Sequence, residues 1–141
     1  MHRLILSAGL IAVFYLAPAR QTLADTLQIG PHRQLKLPSQ AARLARDGDV
    51  VNIDAGIYRG DVASWPQHRL TLRGLGKGAH LEALGNIAED KAIWVIKGND
   101  IRIENIELSG ATAPALNGAG IRFEGTNLIC IDPVKFSKNN F

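Results

Sequence analysis

Asp47, Asp49 and Asp54 fall within one short stretch of the 141-residue chain, and Glu104 and Glu107 within another. Two carboxyl groups facing one sugar from a shared groove are the minimum for glycoside hydrolysis. Neither grouping recurs further along the chain, so both read instead as solvated faces and turn chemistry. His32, His68 and His80 have no metal-ligand spacing. Cys130 is the only cysteine, so no internal disulfide can form, and its neighbours Leu128, Ile129 and Ile131 predict a packed core thiol. Arg59-Gly60-Asp61 matches a cell-adhesion tripeptide but fits a turn equally well, and the turn is preferred. The stretch "GLGKGAH", Gly74 to His80, has the glycines of a phosphate cradle; it lacks a Lys followed by Ser or Thr and leads into no helix, so it reads as a corner. Trp65, just before Pro66, could stack on a sugar ring, although a buried aromatic is the preferred reading.

Whatever chemistry these residues perform depends on the elements that position them. Only "LPSQAARLARDGD" reads as helix: Ser39 is a candidate N-cap, Ala41, Ala42, Leu44 and Ala45 give an apolar face, and Gly48 ends it. So short a helix must lie on something apolar. From Val50 onward the aliphatic residues come in short runs closed by Gly, Asn or Asp, which predicts strands over 49–53, 61–65, 69–75, 80–84, 92–97, 101–108, 120–124, 128–131 and 134–137.

The strands repeat. "WVIKGNDIRI", Trp94 to Ile103, overlays "IRFEGTNLIC", Ile121 to Cys130, placing Gly98 on Gly125, Ile101 on Leu128 and Ile103 on Cys130. Trp94 and Ile96 then share inward positions with Ile121 and Phe123, while Lys97 and Glu124 share an outward one. "LTLRGL", Leu70 to Leu75, echoes "IRIENI", Ile101 to Ile106, with Gly74 and Asn105 as small residues able to take a left-handed bend. "IDPVKFS" echoes "IENIELS" only if one extra residue is allowed, which puts Pro133 near a corner. Repeats of this kind describe a β-solenoid, whose turns stack about 4.8 Å apart around one aliphatic column.

"PSQAARLARDGDVVNIDAGIY", "LTLRGLG", "KAIWVIKGNDIRIENIELSGA" and "NGAGIRFEG" together resemble the N-terminal portion of right-handed parallel β-helix proteins of the pectate-lyase-like superfamily. The resemblance implies an all-β, right-handed parallel β-helix with a short N-terminal capping helix, shortened at its C-terminal end. It implies that Val51 and Ile53 point inward, that Gly56 makes a corner and that Tyr58 covers the end of the column. Family enzymes that cleave uronic-acid polymers hold Ca²⁺ with stacked acids and use a basic group to remove a proton. The matching outward positions here are Lys97 and Glu124, a mixed pair. Arg122 stands where a base could, with Val95 in the equivalent place one turn earlier. Lys97, Arg122 and Glu124 are therefore the candidate substrate-binding residues; catalytic residues are not identifiable, no metal site is expected, and Ca²⁺ enters only through the resemblance.

His2 and Arg3, the apolar run Leu4 to Leu16 and the small residues after it predict an export leader over residues 1–24, cleaved after Ala19 or, preferably, Ala24. The run is too short to span a bilayer, so no stable membrane anchor is expected after cleavage. Loss of Arg3 and Arg20 brings the cations to within one of the 13 acids, which argues against a nucleic-acid surface. Residues 25–141 form one expected domain, periplasmic or extracellular. Two functions fit: polysaccharide binding or processing in a longer form, or a non-catalytic scaffold or inactive fragment that self-associates through its uncapped C-terminal edge.

Overall fold

The computed structural model describes residues 9–18 and 23–140. The positive start of the expected leader and its expected Ala19 cleavage point lie outside them. Residues 9–18 carry no regular secondary structure, and Leu10, Ile11, Phe14 and Leu16 are exposed. No helix among the described residues is long and apolar enough to cross a membrane.

The chain winds as a parallel β-solenoid of about four turns. A leading strand β1 (Thr26–Ile29) and a helix α1 (Pro38–Leu44) precede the coil. The first turn contains β2 (Val50–Ile53), β3 (Gly56–Arg59) and β4 (Ala63–Trp65), and the second β5 (Thr71–Gly74), β6 (Ala79–Gly85) and β7 (Ala92–Ile96). In the third, β8 (Ile101–Ala111) runs through two faces before β9 (Ala119–Phe123), and the fourth is β10 (Leu128–Ser137). The first face stacks β1, β2, β5 and the starts of β8 and β10; the second stacks β3, β6 and the ends of β8 and β10; the third stacks β4, β7 and β9. Every one of these pairings is parallel.

Register confirms the repeat residue by residue. Trp94 faces Ile121 and Ile96 faces Phe123, while Ile101 faces Leu128 and Ile103 faces Cys130, all at an offset of 27. Leu72 faces Ile103 at an offset of 31, whereas β2 and β5 lie only 21 apart. The register shifts between Ile131 and Val134, so the extra residue and Pro133 lie at the corner where β10 changes face.

Inward side chains build the column because alternate residues of a strand point to one side. Val51, Ile53, Leu72, Leu81, Trp94, Ile96, Ile101, Ile103 and Leu108 are fully buried. Trp65 and Trp94 meet edge-to-face, centroids 5.6 Å apart, an arrangement aromatic quadrupoles favour. Both indole N–H groups are buried without an acceptor, a local cost accepted in return for the area the rings remove from water.

Polar corners tie successive turns together. Asp47 Oδ1 accepts the backbone N–H of His68, His68 Nδ1 that of Asn99, and Asn99 Oδ1 that of Thr126, each at 2.9 Å. Glycine is required beside this ladder: a Cβ on Gly98 would collide with the carbonyl oxygen of Gln67, and one on Gly125 with that of Gly98. The corner within β8 is made by Asn105 at φ 54°, as its small polar side chain allows. Gly74 has no left-handed conformation; it is small because a Cβ there would strike the Asn105 carbonyl oxygen, so the expected bend is replaced by close approach.

Four further expectations are corrected. Ser39 is not the cap of α1: the Gln40 side chain accepts the N–H of Leu37 at 3.0 Å, and Ser39 donates its own N–H to Asp61 at 2.9 Å. The helix ends at Leu44, before Gly48, where Gln67 Nε2 donates to the carbonyls of Ala42 and Ala45. Gly56 opens a strand, β3, just past the corner rather than making it, and Tyr58 in the same strand is buried as expected, its hydroxyl donating to the Asp54 carbonyl at 2.7 Å. Cys130 holds an inward register position but is exposed, because among the described residues no strand stacks beyond β10; the partial burial it does have pushes its thiol pKa up.

Candidate functional site

The third face brings the candidate residues into one neighbourhood. Lys97 follows β7 and Glu124 follows β9; the N–H of Glu124 donates to Ile96 at 2.8 Å, which continues the ladder through this point. Between the strands, Ser64, Val95 and Arg122 occupy one outward column. Residues 86–91, part of the longer second turn, fold against this surface and supply both partners of the mixed pair. Lys97 Nζ meets Glu89 Oε1 at 2.5 Å, Glu89 Oε2 accepts from Ser64 at 2.8 Å, and Lys91 Nζ meets Glu124 Oε1 at 2.5 Å.

The same face holds an odd burial. Val95 points outward yet is fully buried, on a surface that the sequence alone would leave to solvent. Alternating charges Lys91, Glu124, Lys97 and Glu89 surround that surface and lock one another. The Lys97 ammonium and the Ser64 hydroxyl hold the Glu89 carboxyl below the usual carboxylate range, and Glu89 in turn raises Lys97. Arg122 is exposed and has no carboxylate partner among the described residues.

Beside the quartet, α1 and β4 enclose a cleft of about 350 Å³ lined by Ser39, Arg43, Val62, Ser64, Pro66 and Lys97, among others. Arg43 likewise has no carboxylate within ion-pair distance among the described residues. Ser64 and Lys97 are already held by Glu89, so Arg43 is the cation this cleft presents to an anionic ligand, above an apolar floor of Ala42, Val62, Ala63 and Pro66. The sequence missed Arg43 because it lies on the helix, outside the strand repeat that located the other three.

Acids able to do chemistry are scarce. Asp47, Asp49, Asp54, Asp61, Glu82, Glu89, Glu104 and Glu124 each hold a backbone N–H or a cation. Glu104 pairs across turns with Arg73 at 2.6 Å and, within its own strand, with Arg102 at 3.6 Å. No group of three or more His, Cys, Asp or Glu able to hold a metal ion occurs among the described residues. Asp61 of the adhesion-like tripeptide is buried against α1 and so is not presented to a partner, while Arg59 is exposed and pairs with Glu82. Trp65 is fully buried and does not offer a stacking face.

The fold defines the class, a parallel β-solenoid with a helical cap. No family model matches the chain, and neither the curated proteins nor the solved structures contain a significant match.

Proposed function

We propose that this is an exported β-solenoid protein, related to the pectate-lyase-like superfamily, that binds an anionic polysaccharide along its third face. The observation that carries the reading is a pair of arginines free of carboxylate partners among the described residues, Arg43 lining a cleft large enough for a sugar and Arg122 on the third face of the coil. Export rests on the Leu4 to Leu16 run and its flanks. Binding rather than bond cleavage is favoured because the acids near the site are already committed to Lys, Ser or backbone partners.

Affinity electrophoresis tests it. Migration is expected to be retarded in gels containing a polyuronate, to be restored by salt, and to be unaffected by a neutral glucan. The Arg43→Ala/Arg122→Ala double variant should lose most of the retardation. Equal migration of the parent chain in all gels overturns the reading.

A second reading is a scaffold that associates through its last turn. It is favoured by the open edges of β9 and β10 and by the half-exposed Ile129 and Phe136 beside them. Sedimentation of the leaderless chain would then give a concentration-dependent mass, and a monomer throughout would exclude it.

A further inference from the structure

Unpaired cations gather at a second place, on the far side of the coil from the sugar cleft. Lys77 and Lys135 have no ion pair among the described residues, and both line a cleft of about 70 Å³ at the corner between the first and second faces. Three consecutive turns build it: Lys77 and His80 come from the second, Asn105 and Glu107 from the third, and Pro133 and Lys135 from the fourth. The loop that carries Lys77 is the glycine-rich stretch noted in the sequence. Asn105 Nδ2 fixes it by donating to the carbonyls of Gly74 and Gly76 at 3.0 and 3.1 Å. His80 Nε2 lies 2.6 Å from Ser109 Oγ and 3.8 Å from Glu107 Oε1, and Ser137 Oγ donates to the same Glu107 oxygen at 3.2 Å.

We propose that this cleft binds a phosphate group that retains a proton, as the free hydrogen phosphate ion or as a sugar phosphomonoester. The volume accommodates one tetrahedral group and excludes a pyranose ring, which separates this site from the polysaccharide cleft. Two ammonium groups supply the neutralising charge. Glu107 supplies the discrimination: a carboxylate can only accept hydrogen bonds, so it tolerates an anion that brings its own O–H and repels one that does not. Sulfate, of similar size and shape, brings none at neutral pH. Asn105 has committed its amide to the loop, so its contribution is to hold Lys77 in place rather than to contact the ligand.

The test is an NMR titration of the folded chain at pH about 5.5, where phosphate and phosphomonoesters still hold a proton and sulfate does not, at constant ionic strength with sodium phosphate, sodium sulfate and glucose 6-phosphate. Saturable shifts of the Gly78, His80 and Lys135 amides are expected with phosphate and not with sulfate. Lys77→Ala and Lys135→Ala should each weaken phosphate by roughly tenfold, with circular dichroism unchanged. Glu107→Gln, which can donate from its amide, should bring sulfate affinity up towards that of phosphate. Tighter binding of glucose 6-phosphate than of phosphate identifies the ester as the ligand, and the reverse identifies the free ion. Absence of saturable shifts with both phosphate and glucose 6-phosphate, or equal affinity for sulfate in the parent chain, overturns the proposal. The Arg43→Ala/Arg122→Ala variant should bind phosphate unchanged, so failure at one site leaves the other untouched.

Discussion

The two ends of the column contain the same kinds of residue and treat them differently. At the N-terminal end, Ile29 is fully buried beside β2, and α1 buries Ala41 and Ala42. At the other end, Ile121, Phe123, Leu128 and Val134 are only partly buried, and Cys130, in register with the fully buried Ile103, is exposed. Burial in a solenoid is thus conferred by the next turn rather than by the residue itself, and an apolar neighbourhood in sequence does not guarantee it.

The most severe way to test that contrast is a matched pair. Ile103→Ala leaves a cavity bounded by turns on both sides and should cost about 3 kcal/mol in denaturant unfolding. Cys130→Ala, on the same column one turn later, should cost less than about 1 kcal/mol. Equal losses would mean that the last turn is as well packed as the third.

Next in size is the corner. Gly98→Ala forces a methyl group into the Gln67 carbonyl and should cost about 1–3 kcal/mol, measured as a lower urea midpoint at unchanged m-value.

Smaller still is the helical cap. Asp61→Ala removes the acceptor for Ser39 N–H and should cost about 1 kcal/mol of stability, whereas Asp61→Asn keeps an acceptor and should cost less. Burial raises the Asp61 pKa, so the folded chain holds this proton more tightly than the unfolded one. This contribution makes stability greatest below the ordinary carboxylate range and lowers it as pH rises through the folded value. Stability measured against pH should therefore show Asp61→Asn gaining on the parent chain over that rise. Asp54 has the opposite sign, because hydrogen bonding to Arg33 lowers its pKa: its contribution is present at neutral pH and lost on acidification through the depressed value. An Arg33→Ala variant that left the acid limb unchanged would contradict this.

Legibility in the sequence followed the echoes between strands. Trp94 and Ile121 could be matched because β7 and β9, like the starts of β8 and β10, share one offset. The echo of β5 in β8 survives the longer turn of 31 residues, whereas β1 has no echo and Gly56, which opens β3, imitates corner chemistry. At α1, a local rule selected Ser39, but the acceptor for its N–H comes from Asp61, 22 residues away and brought close only by winding. The candidate site divided in the same manner. Lys97, Arg122 and Glu124 were legible from the repeat, whereas their partners Glu89 and Lys91 and the neighbouring Arg43 lie outside it.

Turns of 21, 31 and 27 residues maintain parallel pairing because the differences are absorbed between strands. The winding therefore fixes height and leaves circumference free. Evolution or a protein engineer can lengthen a connecting loop on the flank, as residues 86–91 do, and furnish a new surface without re-cutting the spine that bears it.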